Sequence, residues 1–141
     1  MALKHSYSVL APLYDRAVNG PLDGVRRKSL ARLADVDGKK ILLNGIGTGL
    51  DLPYLPSGAS YTGTDITPLM LKRAEKRADQ HNIDIRLECA DSHRLPFKSD
   101  TFDMIIMHLI LAVVPDPGKA LQEAERVLKS NGSIYILSLI H

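Results

Sequence analysis

Short apolar runs of strand-forming residues alternate along this chain with stretches of helical period, and that alternation limits the fold before any single residue is considered. Lys40–Asn44 is an apolar run that ends at a glycine cluster, the pattern of a buried strand feeding a turn. Ser60–Asp65 reads as a second strand, after which Thr67 as N-cap and Pro68 as first helical residue open a helix. That helix, predicted over 68–81, carries Leu71, Ala74 and Ala78 on one face and turns Lys72, Arg73, Glu75 and Lys76 mostly outward. Residues 83–90 alternate Ile83, Ile85, Leu87 and Cys89 as a half-buried strand would, and 102–110 form a longer apolar strand. A helix over 117–129 turns Ala120, Leu121, Ala124, Val127 and Leu128 inward, Asn131-Gly132 ends it, and 133–140 make the last strand. Upstream, 21–34 reads as a helix with Leu22, Val25, Leu30 and Leu33 along one side, and 5–19 as a further short helix.

The order α-α-β-(α)-β-α-β-β-α-β needs crossover connections and therefore a mostly parallel sheet with helices on both faces. Strands covered on both sides are near-continuous apolar runs, as these are. The expectation is an α/β, Rossmann-like three-layer sandwich. At 141 residues it is one domain, with 1–36 as an N-terminal helical cap and 37–141 as the core. Eighteen basic and sixteen acidic side chains are too evenly balanced to signal nucleic-acid binding, although residues 1–40 hold eight Lys/Arg against four Asp. The single cysteine, Cys89, makes no internal disulfide and no cysteine zinc cage, so a reducing, cytoplasmic setting is expected. The run 104–114 falls short of the roughly 20 residues that span a bilayer, and the N-terminus lacks a signal peptide's apolar centre.

Gly45-Ile46-Gly47-Thr48-Gly49 directly follows the first core strand. Glycines there allow a tight turn and close approach of a ligand to backbone, with the next helix aiming its N-terminus at that ligand. A glycine turn without a ligand would look similar. The third glycine comes one residue too early for the dinucleotide fingerprint G-x-G-x-x-G, which counts against NAD and FAD. Asp65, about 20 residues on at the end of the second core strand, is placed to accept two ribose hydroxyls, or else flanks the helix cap. Asp91, in Ala90-Asp91-Ser92 at the end of the third, is placed for an adenine amine, or else lies in an exposed turn. The three features fall on consecutive strand ends along one edge of the sheet.

With these motifs the chain resembles class I S-adenosylmethionine-dependent methyltransferases. The resemblance runs through Gly45-Ile46-Gly47-Thr48-Gly49-Leu50, Gly63-Thr64-Asp65-Ile66-Thr67-Pro68, Ala90-Asp91 with Leu95-Pro96-Phe97, and Phe102-Asp103-Met104-Ile105-Ile106. Ala11-Pro12-Leu13-Tyr14-Asp15 and Ala112-Val113-Val114-Pro115-Asp116-Pro117 place it nearest the bacterial phosphatidylethanolamine N-methyltransferases and the ubiquinone/menaquinone C-methyltransferases, on the phospholipid side. The resemblance implies S-adenosylmethionine as cofactor, its methionine part on the glycine turn, its ribose on Asp65 and its adenine on Asp91. Tyr14, and after it Tyr7, would cover the cofactor. The cofactor-binding residues expected on this basis are Tyr14, Gly45, Ile46, Gly47, Gly49, Asp65, Ile66, Asp91 and Ser92.

The chain departs from that pattern twice. The family ends this strand acidic–apolar–Gly, with the acid on the cofactor's amino group, whereas Leu43 and Asn44 stand here. Loss of one charge-assisted contact costs roughly 1–3 kcal/mol. The chain also stops just after the fifth core strand, without the usual last helix and two further strands. The strand at 133–140 is then expected to be an unprotected edge, which predicts a homo-oligomer joined through residues 133–141.

Among the other reactive side chains, Cys89 reads as core packing, and His5, His81, His93 and His141 as surface groups without metal-ligand spacing. No metal is expected. His108, late in the fourth core strand, divides evenly between a catalytic role at the substrate site and a structural one. Arg26-Arg27-Lys28 is a solvated helix face or a contact for anionic headgroups, so membrane contact is peripheral at most. The function expected is methyl transfer to a small-molecule or lipid acceptor, possible acceptors including a phosphatidylethanolamine-type amine. The alternative is a non-catalytic S-adenosylmethionine-binding or partner-binding module, and a dehydrogenase ranks third.

Overall fold

The structure, a computed structural model, describes residues 6–10, 28, 30–31, 33, 35–108 and 114–137, with backbone only at 6–10, 108 and 137. Six strands, β1 Ser6–Leu10, β2 Lys40–Asn44, β3 Ser60–Asp65, β4 Ile85–Cys89, β5 Phe102–His108 and β6 Leu128–Leu137, form one sheet. Their order is β1-β6-β5-β2-β3-β4, and every pair is parallel. The five core strands thus lie in the expected order 3-2-1-4-5, with β2 in the middle.

Burial follows the two-residue period of a strand covered on both faces. Ile41 and Leu43 of β2 pack with Leu30, Ile46, Leu52, Met104 and Ile106 under Ala74 and Ala78. Those two alanines belong to α1, Pro68–Gln80. Leu42 faces the other way, joining Ile105, Met107, Leu128, Ile134 and Ile136 under Ala124 and Val127 of α2, Pro117–Val127. Helix, sheet and helix make the three layers.

Both helices begin where the sequence indicates. Thr67 is extended and Pro68 follows at the first helical position, where its missing N–H costs nothing. Asp116 caps α2 through its side chain, which accepts from the Lys119 amide at 3.1 Å. The end of α2 differs. The helix stops at Val127 rather than Lys129, because the amides of Asp100 and Thr101 take the carbonyls of Arg126 and Val127 at 2.9 and 2.8 Å. Leu128 then pairs at once with Phe102, while Met104 pairs with Ser133, so residues 129–132 bulge opposite Asp103 alone. The Asp103 carboxylate spans this bulge. It accepts from the Lys40 amide at 2.9 Å and meets Lys129 Nζ at 3.1 Å.

Four sequence expectations are corrected. Ser6–Leu10 is a strand where the helical cap was placed, paired from Ser6↔Ser133 to Leu10↔Leu137; residues 11–27 of that cap lie outside the described residues. β6 is consequently no edge. Its outer backbone groups are satisfied by β1, which removes the ground for a homo-oligomer through 133–141. The glycine turn leads into a single 3-10 turn, Leu52–Tyr54, rather than a helix, since Leu55 directly after it is already extended. Cys89 is exposed, because it ends β4, the outermost strand on that side.

Gly132 shows how tightly the bulge is built. A Cβ there would lie 2.5 Å from Leu128 Cδ1 and 2.8 Å from the Asp103 carbonyl oxygen, which is backbone and cannot rotate away. Gly132→Ala is expected to destabilise the domain by about 1–3 kcal/mol and lower Tm by on the order of 5 °C. An unchanged thermal transition would show that the bulge has room to spare.

Candidate functional site

The carboxyl ends of β2, β3 and β4 lie side by side, and the segments leaving them build the site. Gly45, Gly47 and Gly49 all take left-handed backbone angles, φ 80°, 60° and 83°. This lets successive amides point the same way: Gly45 and Ile46 both donate to the Thr64 carbonyl, at 2.9 and 2.8 Å. Gly49 is also sterically required, since a Cβ would lie 2.7 Å from Leu52 Cδ1 and 3.2 Å from the Ala74 Cα. At Gly47 the space is open.

Asp65 closes the turn from the neighbouring strand. Its Oδ2 accepts from the Gly47 amide at 2.9 Å, and its Oδ1 from the Thr67 amide at 3.0 Å. The carboxylate is half-buried. An ionised carboxylate has about four lone-pair positions, so the two used here leave capacity for further donors. Ile66 and Leu69, just beyond it, are 64% and 56% exposed, and Leu50 beside Gly49 is exposed too.

Asp91 is exposed at the end of the third core strand, and Ser92 next to it is buried. The backbone N–H of His93 and then its ring hold the Asp91 carboxyl below the usual range. Sequence reasoning placed His93 on the surface, but its side chain is only 16% exposed. Its Nδ1 lies 2.8 Å from Asp91 Oδ1, and its Nε2 accepts from the Asp116 amide at 3.2 Å. A second linkage also went unread. Glu123 Oε1 accepts from the Leu95 amide at 2.8 Å and from Arg126 Nη2 at 2.7 Å, and the same Nη2 donates to the Leu95 carbonyl at 3.0 Å. Neither linkage has a sequence signal, because the partners are 23 to 31 residues apart.

Leu43 is fully packed in the core. Asn44 points to the opposite face, 2% exposed, with the Thr64 hydroxyl donating to its Oδ1 at a long 3.4 Å. Its Nδ2 has no partner among the described residues. His108 ends β5 and Tyr7 lies in β1, but their side chains, like all of Tyr14, lie outside the described residues. The described residues hold no group of three or more metal-ligating side chains.

Residues 42–136 match a family model described as a methyltransferase domain, and the chain belongs to that family. By family and fold it belongs to the class I S-adenosylmethionine-dependent methyltransferases, whose cofactor is S-adenosylmethionine. It is 30% identical over 139 residues to a phosphatidylethanolamine N-methyltransferase of Cereibacter sphaeroides, covering 97% of this chain and 68% of that one. It is 29% identical to a ubiquinone/menaquinone biosynthesis C-methyltransferase of Bdellovibrio bacteriovorus, over 96% of this chain and 60% of the relative. A solved methyltransferase of Bacillus halodurans superposes with a TM-score of 0.75 at 20% identity, over 80% of this chain and 50% of its own. Other curated relatives are spanned over only 37% of their length. The residues present fit the cofactor's chemistry: a glycine turn open at Gly47 suits close approach of an amino-acid tail to backbone, a carboxylate with spare lone pairs suits a diol, and exposed aliphatic surface suits a purine face.

Two predictions come from these contacts. Replacing Asn44 and Thr64 together by Leu and Val removes a buried unpaired donor with its weak partner. It is expected to leave stability equal or raise it by about 1 kcal/mol, read by urea denaturation; a loss above 2 kcal/mol would mean the pair has a partner that matters. Glu123 is held below its ordinary pKa first by the Arg126 hydrogen bond and then by the Leu95 amide. A carboxylate with a lowered folded-state pKa stabilises the fold above its unfolded value and loses that contribution as pH falls through the folded one. Glu123→Gln is therefore expected to be less stable than the parent at pH 7, with the gap narrowing as pH falls below about 4.5. A gap independent of pH would contradict this.

Proposed function

We propose that the domain transfers a methyl group from S-adenosylmethionine to a small-molecule or lipid acceptor, with a phosphatidylethanolamine-type amine the first to be tried. The observation that carries this reading is the Asp65 carboxylate bonded to the Gly47 amide, which joins the ends of β2 and β3 around one point. The 30% identity to the phosphatidylethanolamine enzyme over nearly the whole chain supports the acceptor class.

In this reading Asp65 accepts the ribose hydroxyls, with Ile66 beside it, and Asp91, next to Ser92, accepts the adenine amine. The glycine turn from Gly45 to Gly49, Ile46 among its residues, lets the amino-acid tail lie close against backbone, and Tyr14 covers the cofactor. The cofactor supplies an activated methyl group on a sulfonium, so the protein's task is alignment and exclusion of water. An ammonium acceptor must lose a proton before its nitrogen can attack, and His108 at the end of β5 is the residue we assign that role. No described helix is long and apolar enough to cross a membrane. A lipid acceptor would be met peripherally, with Arg26-Arg27-Lys28 toward anionic headgroups. The exposed thiol of Cys89 supports a reducing, cytoplasmic setting.

A non-catalytic cofactor-binding module is the second reading. The packed Leu43 favours it, because the strand supplies no anion for the cofactor's ammonium. Calorimetric titration separates the two when followed by a methyl-transfer assay on phosphatidylethanolamine vesicles. The enzyme is expected to bind S-adenosylmethionine and S-adenosylhomocysteine more tightly than about 100 μM and to methylate the lipid. Binding without transfer to any acceptor points to the module. Asp65→Ala is expected to weaken binding of either ligand at least about tenfold in a folded protein. Unchanged affinity would remove Asp65 from the ribose.

A further inference from the structure

A single imidazole joins the loop after β4 to the start of α2. His93 Nδ1 lies 2.8 Å from Asp91 Oδ1, and the backbone N–H of His93 donates to that same oxygen at 2.9 Å. On the ring's far side, Nε2 accepts the Asp116 N–H at 3.2 Å. Asp116 is itself fixed as the cap of α2 by the Lys119 amide. A ring that accepts at Nε2 while facing a carboxylate at Nδ1 is the neutral tautomer with its proton on Nδ1. Both His93 bonds to Asp91 fall on Oδ1, which leaves Oδ2 for a further donor. The Arg94 amide on the Asp91 carbonyl, 2.9 Å, holds the turn from behind.

We propose that His93 is a positioning residue, which orients the Asp91 carboxylate so that Oδ2 receives the exocyclic amine of the cofactor's adenine. The inference rests on the reading of Asp91 as the adenine acceptor. A freely rotating exposed carboxylate would present its oxygens to water in many directions and would have to be ordered on binding. The ring removes that cost in advance and ties the carboxylate to a helix cap.

The test compares S-adenosylhomocysteine with S-inosylhomocysteine, which carries a carbonyl in place of the amine, on the full chain by calorimetry. The parent is expected to prefer the amine at least about tenfold. His93→Ala should lose most of that preference by weakening S-adenosylhomocysteine about tenfold while changing the inosine analogue less than about threefold. His93→Asn, whose amide can replace the Nδ1 donor, should recover part of it and guards against a variant that fails to fold. Equal losses for both ligands would mean His93 merely supports the fold, and would overturn the proposal. A parent that binds both ligands equally would overturn it by removing the amine contact. A parent that binds neither would instead bring down the cofactor reading beneath it.

Discussion

The β2–β3 pairing continues beyond the end of the ladder, and the site depends on that continuation. Asn44 opposite Thr64 is the last regular rung, and Asp65 beyond it pairs on its other side with Cys89. From there the Gly45 and Ile46 amides converge on one carbonyl, and the Gly47 amide turns to a carboxylate. Three consecutive donors thus pass from a strand partner to a side chain within one turn. Left-handed angles at the glycines make this possible, and the packing of both faces of β2 keeps it in place. A one-residue slip would exchange Ile41 and Leu43 with Leu42 and Asn44 across the sheet, so the register is held by two cores at once.

Local signals in the sequence were dependable. Pro68 after Thr67, the run of glycines after Asn44 and the apolar run of β2 each have a cause within a few residues, and each is found in the structure. The order of the core strands was also legible, because parallel crossovers leave few arrangements. Long-range contacts made the rest illegible. Residues 6–10 carry no periodicity that distinguishes a strand from a short helix, and only the backbone of β6 decides the matter. The end of α2 is set by amides at 100 and 101, not by Asn131 or Gly132. Cys89 obeys its alternation with Ile85 and Leu87, yet alternation says nothing of a strand's place at the margin of the sheet.

Leu43 and Asn44 show the same limit from the opposite side. Their order reads as a departure in the sequence, and the structure gives its physical consequence. Leu43 adds a fully buried aliphatic side chain to the core, worth about 1.5–3 kcal/mol. Asn44 puts a polar amide on the face that otherwise buries Leu42, and one of its donors goes unmatched. Strengthening of the core and weakening of the site's charge are therefore one change, since a carboxylate at position 43 would have to be buried among the same side chains.

α2 organises the third part of the site without contributing a residue that was expected there. Arg126 and Glu123 grip both backbone groups of Leu95, and the Asp116 amide holds the ring that holds Asp91. The two attachments lie at opposite ends of the helix, and between them Leu95 is buried against the core of that face. The loop of Asp91 is thereby braced at two points to an element whose own inner face, Ala120, Ala124 and Val127, is fully buried. An exposed carboxylate on such a loop keeps its orientation because its supports are tied to a helix packed against the core. Precision at the site comes from a helix on the far layer, which strand-end motifs alone do not reveal.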